Sequence, residues 1–116
     1  MPFEDTRSHL GDMAGSIRLI EEFVEGMDLD EFKGDSKTRA AVERMLQVIS
    51  EAAIRLKDEA EIVCPGVPWR EVRGIGNWLR HQYDRVDVET IWNTIQDDLP
   101  SLKAAVERAL ARPAGS

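Results

Sequence analysis

Apolar side chains recur at three- and four-residue steps along almost the whole chain, and this spacing limits the possible folds more than any other feature. Leu10, Met13, Ile17, Ile20, Val24 and Met27 form one such row, predicting an amphipathic first helix that ends at Gly26 and the polar stretch Asp28 to Asp30. Ala41, Met45, Val48, Ile49, Ala52 and Leu56 predict a second helix, capped by Asp35 or Ser36 and running to about Ile62. Between them, Glu31 to Asp35 reads as a connector pinned to the core by Phe32. Cys64-Pro65-Gly66-Val67-Pro68 is the clearest interruption. Pro68 suits a first helical turn, so a third helix is expected from about Pro68 to about Gln82. A fourth starts near Asp87 and turns Ile91, Trp92, Ile95, Leu99, Leu102, Val106 and Leu110 inward, with a kink or break near Pro100. No stretch alternates with period two. The expected fold is all-α, an antiparallel four-helix bundle forming a single domain over residues 1–111, with a flexible tail over 112–116.

A chain of 116 residues has room for one core and not for two. No run approaches the roughly 18 apolar residues of a membrane span, and the first ten residues lack the pattern of a secretory signal. The single cysteine, Cys64, excludes an internal disulfide and fits a reducing, cytoplasmic setting. A net charge of −7 argues against a general nucleic-acid coat, because neutralising phosphates takes Lys and Arg. The charge is uneven, however. Arg70, Arg73, Arg80 and Arg85 face only Glu71 and Asp84 between Val67 and Val86, a basic island that suits one phosphate or one acidic partner.

That island holds the candidate chemistry. With Arg73 at zero and about 100° per residue, Asn77 falls at about 40°, Arg80 at about −20° and His81 at about 80°. Val72, Ile75, Trp78 and Leu79 fall between about 140° and 260°, on the core side. One face thus gathers two guanidinium groups, a carboxamide and an imidazole around a space for one anion. Gly74 and Gly76 leave room for a close neighbour. Tyr83 would point at about 280°, so it approaches the imidazole only if the helix unwinds around Gln82 and Tyr83. Histidine exchanges a proton near neutral pH, and beside an arginine it suits attack of a ribose 2′-hydroxyl on the adjacent phosphodiester. No His, Cys and carboxylate cluster has zinc spacing, so neither metal nor other cofactor is expected.

The string from Pro68 to Asp87, with its Pro-Trp-Arg-Glu, Gly-x-x-Asn and His-x-Tyr elements, resembles the signature of HepT-like (HEPN-type) proteins and their Arg-x4-His-x-Tyr motif. Asp30-Glu31-Phe32, Ile49-Ser50-Glu51-Ala52-Ala53, Ile91-Trp92 and Asp98-Leu99-Pro100 extend the resemblance over most of the chain. It implies the toxin of a type VII toxin–antitoxin pair: a homodimeric, metal-independent endoribonuclease with RNA as substrate. An MntA-like nucleotidyltransferase antitoxin would silence it by adenylylating Tyr83. His81 and Tyr83 match the motif, but the arginine position is Gly76, so either Arg80 or Arg73 supplies the guanidinium or the centre is incomplete. In the incomplete case the chain would be a non-catalytic binding partner of a minimal nucleotidyltransferase.

Other conspicuous residues read as structural. Trp69, Trp78 and Trp92, at helical spacing, suit core or dimer-interface rings better than base-stacking platforms. Cys64 reads as a small packed residue and His9 as solvated, while Glu51 is expected to pair with an arginine of the third helix.

Overall fold

In the computed structural model residues 2–81 and 87–112 are described, those at 2–4 and 81 in backbone only. The expected break at Gln82–Tyr83, Tyr83 itself and residues 113–116 of the expected tail lie outside them. Helix α1, Pro2–Phe23, buries Leu10, Met13, Ile17 and Ile20 along one stripe, and Val24 just beyond it. Each such side chain contributes about 1.5–3 kcal/mol by leaving water. Gly26, at φ +77°, turns the chain in a conformation that side chains with a Cβ resist.

The expected connector forms a short helix, α2 (Leu29–Gly34). Asp28 accepts the Glu31 backbone N–H at 2.8 Å, while the Glu31 carboxylate accepts the Asp28 N–H at 3.0 Å. Phe32 is fully buried, as its ring predicted. Asp35 then caps α3, Ser36–Leu56, by accepting the Thr38 N–H at 3.0 Å.

Helix α3 ends six residues before its apolar pattern suggested. Lys57 takes φ +51°, and α4 (Glu59–Val63) starts afresh. The cause is tertiary: the Arg73 guanidinium occupies carbonyls of the last α3 turn, as detailed below. The Pro/Gly segment breaks the chain where expected, with Gly66 at φ +89°, and α5 runs over Trp69–His81 with the Pro68 carbonyl accepting the Glu71 and Val72 N–H groups.

The fourth long element is one continuous but interrupted rod. It comprises α6 (Val88–Asn93, capped by Asp87), a π-helical turn (Thr94–Asp98) and α7 (Leu99–Ala111). Pro100 has no N–H to give and its ring crowds the turn before it. The chain widens there, and the Leu99 N–H reaches back five residues to the Thr94 carbonyl. This is the interruption expected near Pro100.

The architecture is an all-α antiparallel bundle. Helix α1 packs on α3 and α7, α3 on α5, and α2 on α3 and α6. Arg7 of α1 donates to the Leu110 carbonyl at 2.8 Å, tying off the end of α7. Helix α5 rests mainly on α3, leaving a cleft towards the α6–α7 rod. No described helix is long and apolar enough to cross a membrane.

Candidate functional site

Helix α5 is placed by one serine. Ser50 of α3 is fully buried within the Leu46, Ile49 and Ala53 stripe. Its hydroxyl donates to the Arg73 carbonyl at 2.8 Å and accepts the Gly76 N–H at 3.0 Å. A hydroxyl bonded to the backbone of a neighbouring helix demands close approach, and Gly76 permits it. A Cβ at 76 would lie 3.1 Å from Ser50 Oγ, whereas one at Gly74 would meet nothing within 4 Å. Of the two glycines expected to make room, Gly76 alone does so. Sequence reasoning missed the serine, although its place in an apolar row was a readable signal.

The two arginines expected to share an anion are put to different uses. Arg73 binds Glu61 of α4 through both terminal nitrogens, at 3.0 and 2.8 Å, a fork-to-fork pair. Its Nη2 also donates to the Lys57 carbonyl at 2.8 Å and its Nε to the Ala53 carbonyl at 3.3 Å. These bonds cap α3 and lock α4 and α5 to its end. The Arg73 hydrogen bond holds the Glu61 carboxyl below its usual range, and Glu61 in turn raises the Arg73 guanidinium. Glu61 was not foreseen. Glu51, expected to pair with the third helix, is instead exposed and lies 3.7 Å from Arg44 of its own helix. It follows Ser50 by one residue, about 100° around the helix from the α5-facing row through Ser50 and Ala53, so its carboxylate reaches solvent.

Arg80 is exposed and has no hydrogen-bond or ion-pair partner among the described residues. Its Nη1 lies 3.4 Å from the point where a Cβ on residue 76 would stand. Asn77 is likewise exposed. His81 occupies the last position of α5, three and four residues beyond Trp78 and Asn77; its side chain is outside the described atoms. Arg80 and Asn77 therefore lie open on the end of the helix that carries His81, while Arg73 faces the α3–α4 junction.

The tryptophans also divide. Trp69 is buried and donates its indole N–H to the Cys64 carbonyl at 2.8 Å. Trp92 packs against Phe32 with the rings tilted by 44° and their centres 5.2 Å apart. Trp78 is partly buried and forms part of the wall of the α5–α7 cleft, whose volume is about 420 Å³. Cys64 is buried, and burial pushes its thiol up, away from the reactive thiolate. Among the described residues no three His, Cys, Asp or Glu side chains converge as a metal site.

Comparison with known proteins agrees with the motif. A family model described as "Ribonuclease HepT-like" matches residues 13–109. "Probable ribonuclease HepT" of Thermococcus cleftensis is 38% identical over 102 residues, 88% of this chain and 93% of that protein. "Putative RNase MJ1380" of Methanocaldococcus jannaschii is 33% identical over 107 residues, 92% and 98% of the two chains. "Putative RNase TTE0752" of Caldanaerobacter subterraneus is 30% identical over 106 residues, 91% and 95% of the two. No solved structure gives a significant match.

Proposed function

The chain belongs to the HepT-like ribonuclease family, and we propose that it is the toxin of a toxin–antitoxin pair, a cytoplasmic, metal-independent endoribonuclease that works as a homodimer. The observation that carries the reading is the position of Arg80. Its guanidinium stands beside the Cβ position of residue 76, where the motif arginine would begin, and is uncommitted among the described residues. Arg73, spent on Glu61 and the α3 carbonyls, then serves to position α5.

In this reading His81 takes the proton from a ribose 2′-hydroxyl, and O2′ attacks the adjacent phosphorus. The 5′-oxygen leaves with a proton from a second acid, giving a 2′,3′-cyclic phosphate and a 5′-hydroxyl. One imidazole does not readily serve as base and acid at once, so the acid is His81 of a twofold-related copy. Arg80 stabilises the charge building on the phosphoryl oxygens, and Asn77 holds the phosphodiester in register. A nucleotidyltransferase antitoxin that adenylylates Tyr83 adds bulk and negative charge beside the arginines and so excludes RNA.

The test is cleavage of single-stranded RNA by the wild type, His81→Ala, Arg80→Ala and Arg73→Ala. Activity that survives His81→Ala, or is absent from every protein including the wild type, removes the catalytic reading. The packing of Gly76 against Ser50 favours a second one, in which the motif arginine is replaced for the sake of helix approach and the chain is a non-catalytic partner of a nucleotidyltransferase. Co-purification with such an enzyme, without toxicity when the chain is expressed alone, selects that alternative.

A further inference from the structure

We propose that the cleft between α5 and the α6–α7 rod is a nucleobase subsite, taking an unstacked guanine of single-stranded RNA; this rests on the ribonuclease reading above. The cleft lies between α5, which packs on α3, and the last rod, which carries its π-helical turn beside Pro100. At about 420 Å³ it falls within the roughly 300–1,000 Å³ of small-molecule sites. Val72, Ile75 and Trp78 form one wall and Leu99, Leu102 and Ala105 the other, a slot between two apolar faces suited to a flat ring.

Trp78 distinguishes this slot from a mere packing defect. The other two indoles are used by the fold, one through its N–H and one through its tilted packing on Phe32. Trp78 is left partly buried at the open cleft, where an incoming base can stack on it. On α5 it follows Asn77 and comes two residues before Arg80. On the helical wheel Trp78 lies about 160° from Arg80 but only about 60° from His81, so a base in the slot sits on the His81 side of the helix that bears the proposed centre.

The polar lining selects among bases. Glu71 and Asp98 line the cleft, exposed and without an ion-pair partner among the described residues. A carboxylate only accepts hydrogen bonds, and two adjacent donors match its two oxygens. Guanine offers that pair, N1–H and the N2 amino group, on one edge. Uracil offers a single N–H between two carbonyls, and adenine and cytosine set their amino group beside an acceptor. Arg108 supplies the cation that suits guanine O6 and N7 on the opposite edge.

The experiment titrates the full-length protein separately with guanosine, adenosine, cytidine and uridine, following backbone and indole N–H resonances by NMR. Guanosine should give saturable shifts at the Trp78 indole and at α7 residues of the cleft, binding about tenfold tighter than the other three. Asp98→Asn should erase that preference. Trp78→Leu, which removes the stacking face, and Ala105→Leu, which fills the slot, should each weaken binding at least about tenfold while thermal melting shows the fold retained. No saturable shift, shifts confined to other surfaces, equal affinity for all four nucleosides, or binding indifferent to both Trp78→Leu and Ala105→Leu would overturn the subsite. Since the titration needs no turnover, guanosine binding without RNA cleavage removes the ribonuclease reading and keeps the subsite. Cleavage that depends on His81 without guanosine binding does the reverse.

Discussion

Ser50 and Gly76 are joined across two helices by a hydrogen bond of 3.0 Å from the glycine N–H to the serine hydroxyl. The same hydroxyl donates to the Arg73 carbonyl, so Ser50 cannot swing aside without losing both bonds. Its loss in Ser50→Ala should cost about 0.5–1.5 kcal/mol. The two glycines of α5 give a sharper comparison. Gly74→Ala meets open space and should stabilise the protein by about 0.5–1 kcal/mol through helix propensity. Gly76→Ala sets a Cβ 3.1 Å from the held hydroxyl, and the strain should cancel or exceed that gain. Denaturant melts of the two variants side by side measure the difference, and equal stabilisation would contradict the packing.

The arginines should separate stability from activity. Arg73→Ala removes a bidentate ion pair and two bonds to the end of α3, and should lower stability by about 1–2 kcal/mol after allowance for partial exposure. Its cleavage per folded molecule should be little changed. Arg80→Ala should leave the melting temperature within error and reduce cleavage about a hundredfold. A reversed pattern would assign the guanidinium role to Arg73.

Acidification should weaken the α3–α4–α5 junction. Glu61 is held below its unfolded pKa by Arg73, and Asp35 below its own by the Thr38 N–H. Groups with lowered folded pKa values bind more protons when unfolded, so their contribution is complete above the ordinary carboxylate range and disappears as pH falls through the folded values. Stability measured by urea melts should therefore fall below about pH 4.5. Glu61→Gln should flatten this acid limb while leaving the neutral plateau lower.

The capping box of α2 carries Phe32 into the core. Asp28→Ala leaves the Glu31 N–H without its acceptor and should cost about 1 kcal/mol. Amide hydrogen exchange should quicken in Leu29–Gly34 before it does in α3. Uniform acceleration across both helices would show that α2 has no separate stability.

Local periodicity determined much of this protein. The apolar rows specify the long helices and the faces they bury, Asp35 and Asp87 mark helix starts, the Pro/Gly segment separates α4 from α5, and Pro100 interrupts the last rod, because each of these depends on residues within one or two turns. The exposure of Arg80 and Asn77 on the helix bearing His81 followed from the same spacing. A helical wheel records how a side chain leaves its own helix, and holds nothing about which neighbour waits there or how near. Only the tertiary structure decided that Arg73 turns to the end of α3 and stops that helix at Leu56, that its partner is Glu61 while Glu51 stays with Arg44, that Ser50 draws in Gly76, and that Trp78 borders a cleft. Each of those depends on the distance between helices far apart in the chain, and that distance is set by the packing of the whole bundle.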